Sequence, residues 1–347
     1  MLDIGALDQL GARAGSPEDL VAKALASTTT ATAAQWLNGQ QVREFLRLVV
    51  SEEVGLLDSS KYMVEGPSLD ISNVNIVDGQ YSMGVGGSTR IAAADEVTPV
   101  FDRRVLTPQP LDVRMPIEQT ILKQINLEGD RIQQTMDEML GQYIGNTIEN
   151  EAWNADVAGA AWAGYGTGAM TTITGWLPTA LAACHTVDFD GARMSSEIFR
   201  TMLQALPTKW RNKGEVYYAS MDNVIEWKHH LEATRQTNLG DTSITEEGVP
   251  TFMGRKIIGV PRIRDDYTGL NDQSGSTSGF TKVLLTLPAN KTVGFGPAMR
   301  VFVHPRDDGK VDYINYWGQF DVDYINVDRV VIGYNILPLA NCEVACE

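Results

Sequence analysis

Cysteine is nearly absent from this chain. There are three among 347 residues, Cys184 by itself and Cys342 and Cys346 near the end. That number makes no disulfide framework, and a reducing compartment is expected. Histidine is almost as scarce: His185, His229, His230 and His304 include no HExxH pair and none with a cysteine at zinc-site spacing. Basic charge is short too. Against 44 acidic side chains there are 28 lysines and arginines, a net charge of −16, which excludes a general grip on phosphates through counterion release. No uninterrupted apolar run is long enough to span a bilayer, and the opening "MLDIGALDQLGARAG" lacks a basic start followed by an apolar stretch. A cytoplasmic, soluble protein is the expectation.

What is there is ample core. With 43% hydrophobic residues, the chain suits about two domains. Ser16-Pro17-Glu18-Asp19 has the chemistry of a helix start, and Val42, Phe45, Leu46, Val49 and Val50 recur at helical spacing. Between Tyr62 and Pro116 the pattern changes. Leu69, Ile71, Val74 and Ile76 read as one half-buried strand and Leu111, Val113 and Met115 as another, so the two are expected to pair as arms of a hairpin. The joining stretch "DGQYSMGVGGSTRIAAADEVTPVFDRR" is far longer than a hairpin loop of two to five residues and serves no compact domain. Ile132, Met136, Met139, Leu140, Tyr143, Ile144 and Ile148 step along one face of the longest helix candidate, as far as Trp153. From about Phe189 the pattern is mixed: helices capped by Ser195 or Ser196 and by Ser220, strands in "EVYYAS", "GRKIIGVP" and "TKVLLTLP", and strands on to "VVIGYNI".

Candidate chemistry is thin. In "WGQFDVDYINVDRVV" the residues Phe320, Val322 and Tyr324 share one side of a strand and Asp321 and Asp323 the other. The acids therefore read as a solvated face, with a metal site as the competing reading. Asp307-Asp308-Gly309 reads as a tight turn. "GSTSG" at Gly275 resembles a nucleophile elbow with threonine at its centre but lies in a serine-rich loop, and "GVGGSTR" at Gly84 lacks both the GxGxxG spacing and the P-loop lysine. Trp153, Trp162, Trp176, Trp210, Trp227 and Trp317 read as core or interface packing. No catalytic residue, metal ligand or cofactor emerges.

The order of these pieces carries a resemblance over nearly the whole chain. "LDVRMPIEQTILKQINLEGDRIQQTMDEMLGQYIGNTIENEAWNAD", "TGWLPTA", "LQALPTKWRNKGEVYYASMDNVIEWKHHLEATRQTNLGD" and "VPTFMGRKIIGVPRI" resemble, in sequence, the major capsid proteins of tailed double-stranded-DNA bacteriophages. The resemblance implies an α+β fold with an N-terminal arm (1–61), an extended loop (62–116), a peripheral domain with a spine helix (117–188), an axial domain (189–292), and further peripheral strands with a C-terminal tail (293–347). It implies a non-enzymatic subunit, assembled in the host cytoplasm into hexamers and pentamers of an icosahedral head around DNA. Tyr81, Met83, Val85, Arg90, Phe101, Arg103 and Arg104 on the extended loop would contact neighbouring subunits. Portal, scaffolding and cement proteins are the implied partners. Some shells of this family are cross-linked through a lysine on that loop, whereas here no lysine lies between Lys61 and Lys123, so a noncovalent shell is expected. Two alternatives stand beside it: a metal-dependent hydrolase using Asp307, Asp308, Asp321 and Asp323, and an encapsulating compartment of the same fold with protein cargo.

Overall fold

The computed structural model describes residues 54–76, 99–118, 130–155, 173–211, 214–234, 250–263, 280–297, 300–305 and 311–337. Two larger sheets with the helices packed on them, and a two-stranded sheet, make up these residues. In the five-stranded sheet, β1 (Ser60–Met63), β10 (Lys291–Phe295), β12 (Val311–Tyr324) and β11 (Arg300–Pro305) follow one another, and β4 (Gln109–Glu118) pairs with β12. In the six-stranded sheet the order is β5 (His185–Arg193), β13 (Val331–Leu337), β9 (Thr281–Thr286), β6 (Val216–Ala219), β8 (Arg255–Gly259) and β7 (Thr251–Phe252).

The six-stranded sheet is buried on both faces, which explains why its central strands read as unbroken apolar runs rather than alternating ones. In "VYYA", Val216 and Tyr218 enter one core while Tyr217 and Ala219 enter the other. In β9, Leu284 goes to the first core and Val283 and Leu285 to the second. The second core is closed by α4 (Ser196–Ala205) and α5 (Met221–Thr234). There Phe199 sits edge-on to Tyr217 at 4.7 Å and to Trp227 at 5.0 Å. The Ser220 hydroxyl accepts from the Asn223 N–H at 3.2 Å and caps α5, while Ser195 precedes α4 without a side-chain cap bond.

The first core lies under the longest described helix, α2 (Asp130–Asn154, 25 residues). Ile144, Ile148, Ala152 and Trp153 are buried at the four-residue spacing of one helix face. Tyr143, expected on that face, is 45% exposed, because one residue back along a helix turns the side chain by about 100°. At its C-terminal end α2 meets α3 (Trp176–Ala183) at backbone distance. The Gly175 N–H donates to the Ala155 carbonyl at 2.7 Å, and a Cβ at 175 would lie 2.9 Å from the Ala152 carbonyl oxygen. Backbone cannot swing aside as a side chain can. Gly175→Ala is therefore expected to lower stability by about 1–3 kcal/mol, read by urea unfolding of the subunit.

Strand pairing differs from the sequence expectation in one instructive place. The strand β2 (Leu69–Ile76) pairs with β3 (Pro99–Leu106), from Leu69 opposite Leu106 to Ile76 opposite Pro99. Leu111, Val113 and Met115 lie in β4, which is paired with β12 from Gln109 opposite Phe320 to Glu118 opposite Val311. The returning arm of the hairpin is thus residues 99–106. Alternation shows which face of a strand is buried but not which strand lies beside it.

The expected domain limits cut through strands of the described sheets. The divisions at 61/62, 116/117, 188/189 and 292/293 fall inside β1, β4, β5 and β10 respectively. β13, placed with the peripheral strands, lies in the six-stranded sheet between β5 and β9. Among the described residues no helix is long and apolar enough to cross a membrane.

Candidate functional site

Two places concentrate unusual chemistry. The first is the root of the β2/β3 hairpin. This pair forms its own two-stranded sheet, and its end is tied to the body by a short turn. Leu106 is fully buried, and the next N–H, of Thr107, donates to the Asp321 Oδ2 atom at 2.7 Å. Asp321 Oδ1 accepts from the Val322 N–H at 2.8 Å, and Asp323 Oδ1 from the Tyr324 N–H at 2.8 Å.

The two strand aspartates are therefore not a freely solvated face, as the alternation suggested. Asp321 is half-covered by the turn that leads into β4, and both its oxygens are engaged by backbone donors. Asp307 and Asp308 lie outside the described residues, and among those described no group of three histidine, cysteine or acidic side chains is placed to hold a metal ion. On the opposite face Phe320, Val322 and Tyr324 are buried as read.

Burial pushes the Asp321 carboxyl up to about 6, opposed by its two backbone hydrogen bonds and reinforced by the Asp323 charge. The folded state therefore holds this proton more tightly than an unfolded chain, with its ordinary value of 3.8. Its contribution to stability falls as pH rises between those two values and is constant above them. Asp321→Asn is expected to remove that slope, so that in parallel urea titrations wild type loses stability relative to the variant between pH 4 and pH 7.

Of the proposed contact residues, Phe101, Arg103 and Arg104 lie on β3. Tyr81, Met83, Val85 and Arg90 lie outside the described residues. Arg103 is 68% exposed by side chain and pairs with Asp70 across the hairpin at 2.6 Å, a solvated bridge of little energetic weight. Arg104 is half-buried and lies close enough to Cys184 to act on it electrostatically. The Cys184 thiol is pushed up to about 12 by its burial, so it is not a nucleophile at neutral pH.

The second place is a fully buried lysine, which the sequence reading passed over. Lys291 begins β10, all of whose residues are buried. Its ammonium lies over the rings of Tyr218, Trp153 and Trp176, at 3.8, 4.8 and 4.9 Å from their centroids. Trp153 and Trp176 are edge-on to each other at 5.0 Å. Such a box recovers by cation–π attraction part of the hydration a buried cation loses. Lys291 donates to the Gly55 carbonyl at 3.2 Å. Glu149, 1% exposed, accepts from the Gly55 N–H at 2.6 Å and from Trp153 Nε1 at 3.2 Å. One signal was available: Lys291, Val293 and Phe295 occupy one side of a strand whose other members on that side are core.

The tryptophan expectation separates along these lines. Trp153, Trp176 and Trp227 are core, Trp210 and Trp317 are half-buried, and Trp162 lies outside the described residues. His229 is exposed, and His230 stacks on Trp227 at 5.8 Å.

No protein-family model matches this sequence, and no curated protein matches it. Solved structures do. The chain is similar to one from the satellite phage P4 procapsid with its size determination protein, at 11% identity, covering 85% of this chain and 99% of that one, with a TM-score of 0.52. A chain from Mycobacterium phage Ogopogo matches at 12% identity over 81% and 91% of the two chains, TM-score 0.53. One from Gordonia phage Cozz matches at 10% identity over 83% and 87%, TM-score 0.50. The chain has the tailed-phage capsid fold. At such identities the likeness is one of backbone path. Residue roles in this capsid-fold chain rest on its own geometry, the hairpin root at Asp321 and the Lys291 box.

Proposed function

We propose that this chain is the structural subunit of an icosahedral shell around double-stranded DNA, built as hexamers and pentamers and held together without covalent cross-links. One observation carries the reading. On a chain with the tailed-phage capsid fold, β2 and β3 pair only with each other among the described strands. An isolated two-stranded ribbon is marginal in water, and lying across a second copy supplies the missing surface. In this reading α2 is the spine helix, the five-stranded sheet with α2 is the peripheral body, and the six-stranded sheet with α4 and α5 is the axial body. The hairpin begins the extended loop, and Tyr81, Met83, Val85, Arg90, Phe101, Arg103 and Arg104 contact the neighbour. The net charge of −16 suits a wall that encloses DNA without gripping it. A separate scaffold, a portal and an outer cement protein would complete the particle.

The test is the protein expressed alone and viewed by negative-stain microscopy. Closed particles of uniform diameter are expected; a monodisperse monomer at high concentration overturns the reading. Arg103→Glu should leave the subunit folded, since the exposed pair with Asp70 contributes at most about 1 kcal/mol, yet sharply reduce particle yield. On a denaturing gel, mature particles should run as single chains, because the lysine needed on the loop is missing between Lys61 and Lys123.

A further inference from the structure

The Gly55 peptide is held on both sides, by an acid and by an amine. Its N–H is given to Glu149 Oε1 at 2.6 Å and its carbonyl accepts from Lys291 Nζ at 3.2 Å. Both gripping side chains are almost completely buried. A side chain at 55 is excluded, since a Cβ there would press into Trp153 Nε1 and Glu149 Oε1. Around this point the chain is seated by Leu56, fully buried in the first core, by Asp58, which accepts from the Tyr218 hydroxyl at 3.2 Å, and by Ser60, whose hydroxyl donates to the Ala289 carbonyl at 2.9 Å.

We propose that Glu149 and Lys291 form a proton-operated clamp on the Gly55 peptide, which holds residues 54–60 to the body and loosens when the lysine is charged.

The sign follows from which state binds the proton more tightly. With the clamp closed, Lys291 is sealed by α1 (Val54–Leu57), α2, β6 and β10. The groups facing it are Glu149 on α2, Asp58 and Lys61 on the entering segment, and Tyr218 on β6. Burial dominates and brings the amine down to about 7; Asp58 and then Glu149 oppose this, and Lys61 adds to it. Lifting residues 54–57 admits water and returns the amine toward its ordinary 10.5. The open state thus binds the proton more tightly. Closure is favoured as pH rises from about 7 toward 10.5, by up to about tenfold per pH unit, and has no further slope below that window. Acidification within it loosens the clamp.

Hydrogen–deuterium exchange of the full-length chain tests this directly. Protection of a peptide spanning residues 54–63 is measured at pH 6, 7, 8 and 9. Each value is corrected for the intrinsic exchange rate, and β9, which follows global opening, is read beside it. Protection of 54–63 is expected to stay below that of β9, to change by no more than about twofold from pH 6 to 7 and to rise about fiftyfold from pH 7 to 9. Protection independent of pH, or equal to that of β9, overturns the clamp. In Lys291→Met the protection should not respond to pH, and a slope equal to wild type also overturns it. Should that variant fail to fold, Asp58→Asn serves: losing the charge that raises the amine should move the onset of the rise to lower pH, and an unmoved onset refutes the assignment. None of these outcomes depends on whether the chain forms shells.

Discussion

Replacing Lys291 by methionine is expected to raise the unfolding free energy of the unassembled subunit at pH 7 by about 1–4 kcal/mol, because in the folded chain burial disfavours the charged amine more than Asp58 and Glu149 favour it. Methionine fills nearly the same volume between Trp153, Trp176 and Tyr218, so little cavity opens. The gain should shrink as pH rises toward 10.5, where the amine of the unfolded chain loses its charge as well. Urea unfolding at pH 7 and pH 10, followed by far-ultraviolet circular dichroism, measures both. A difference from wild type that does not change with pH would show that the lysine acts by packing alone.

Trp153→Ala is expected to lower stability by about 3–5 kcal/mol, since it empties one of the two tryptophans of the first core. Trp153 is edge-on to Trp176, 5.6 Å from Tyr218, under the Lys291 ammonium, and a donor to Glu149. Removing it therefore exposes the lysine as well as creating a cavity. Trp153→Phe separates the two effects: it keeps a ring in the box and deletes only the N–H to Glu149. Its expected loss is about 1–3 kcal/mol, the range for a buried acceptor deprived of a donor. Because Trp153 and Lys291 touch, the effects of replacing both should not add. Additive effects would mean that the ring contributes nothing to holding the cation.

Much of the architecture was legible in one dimension. The face of α2 from Ile144 to Trp153, the cap of α5 at Ser220, and the buried side of β12 at Phe320, Val322 and Tyr324 all follow from local periodicity and capping chemistry. So do β6, β8, β9 and β13 of the six-stranded sheet, whereas β5 and β7 were not read as strands. The order of these elements pointed to the tailed-phage capsid fold, which the solved structures bear out.

Partners across the chain were decided only in three dimensions. That β2 turns back on Pro99–Leu106 while Leu111 belongs to a strand on β12 cannot be read from two alternating segments, because alternation is identical for every possible neighbour. The same holds for Asp321, which looked like a wet carboxylate until the Thr107 turn was folded over it. It holds most of all for the box. Glu149, Trp153, Trp176, Tyr218 and Lys291 come from four separate stretches of sequence, and each is ordinary alone. What makes the lysine unusual is water removed by the other elements, a property of the assembled core that no local window of sequence contains.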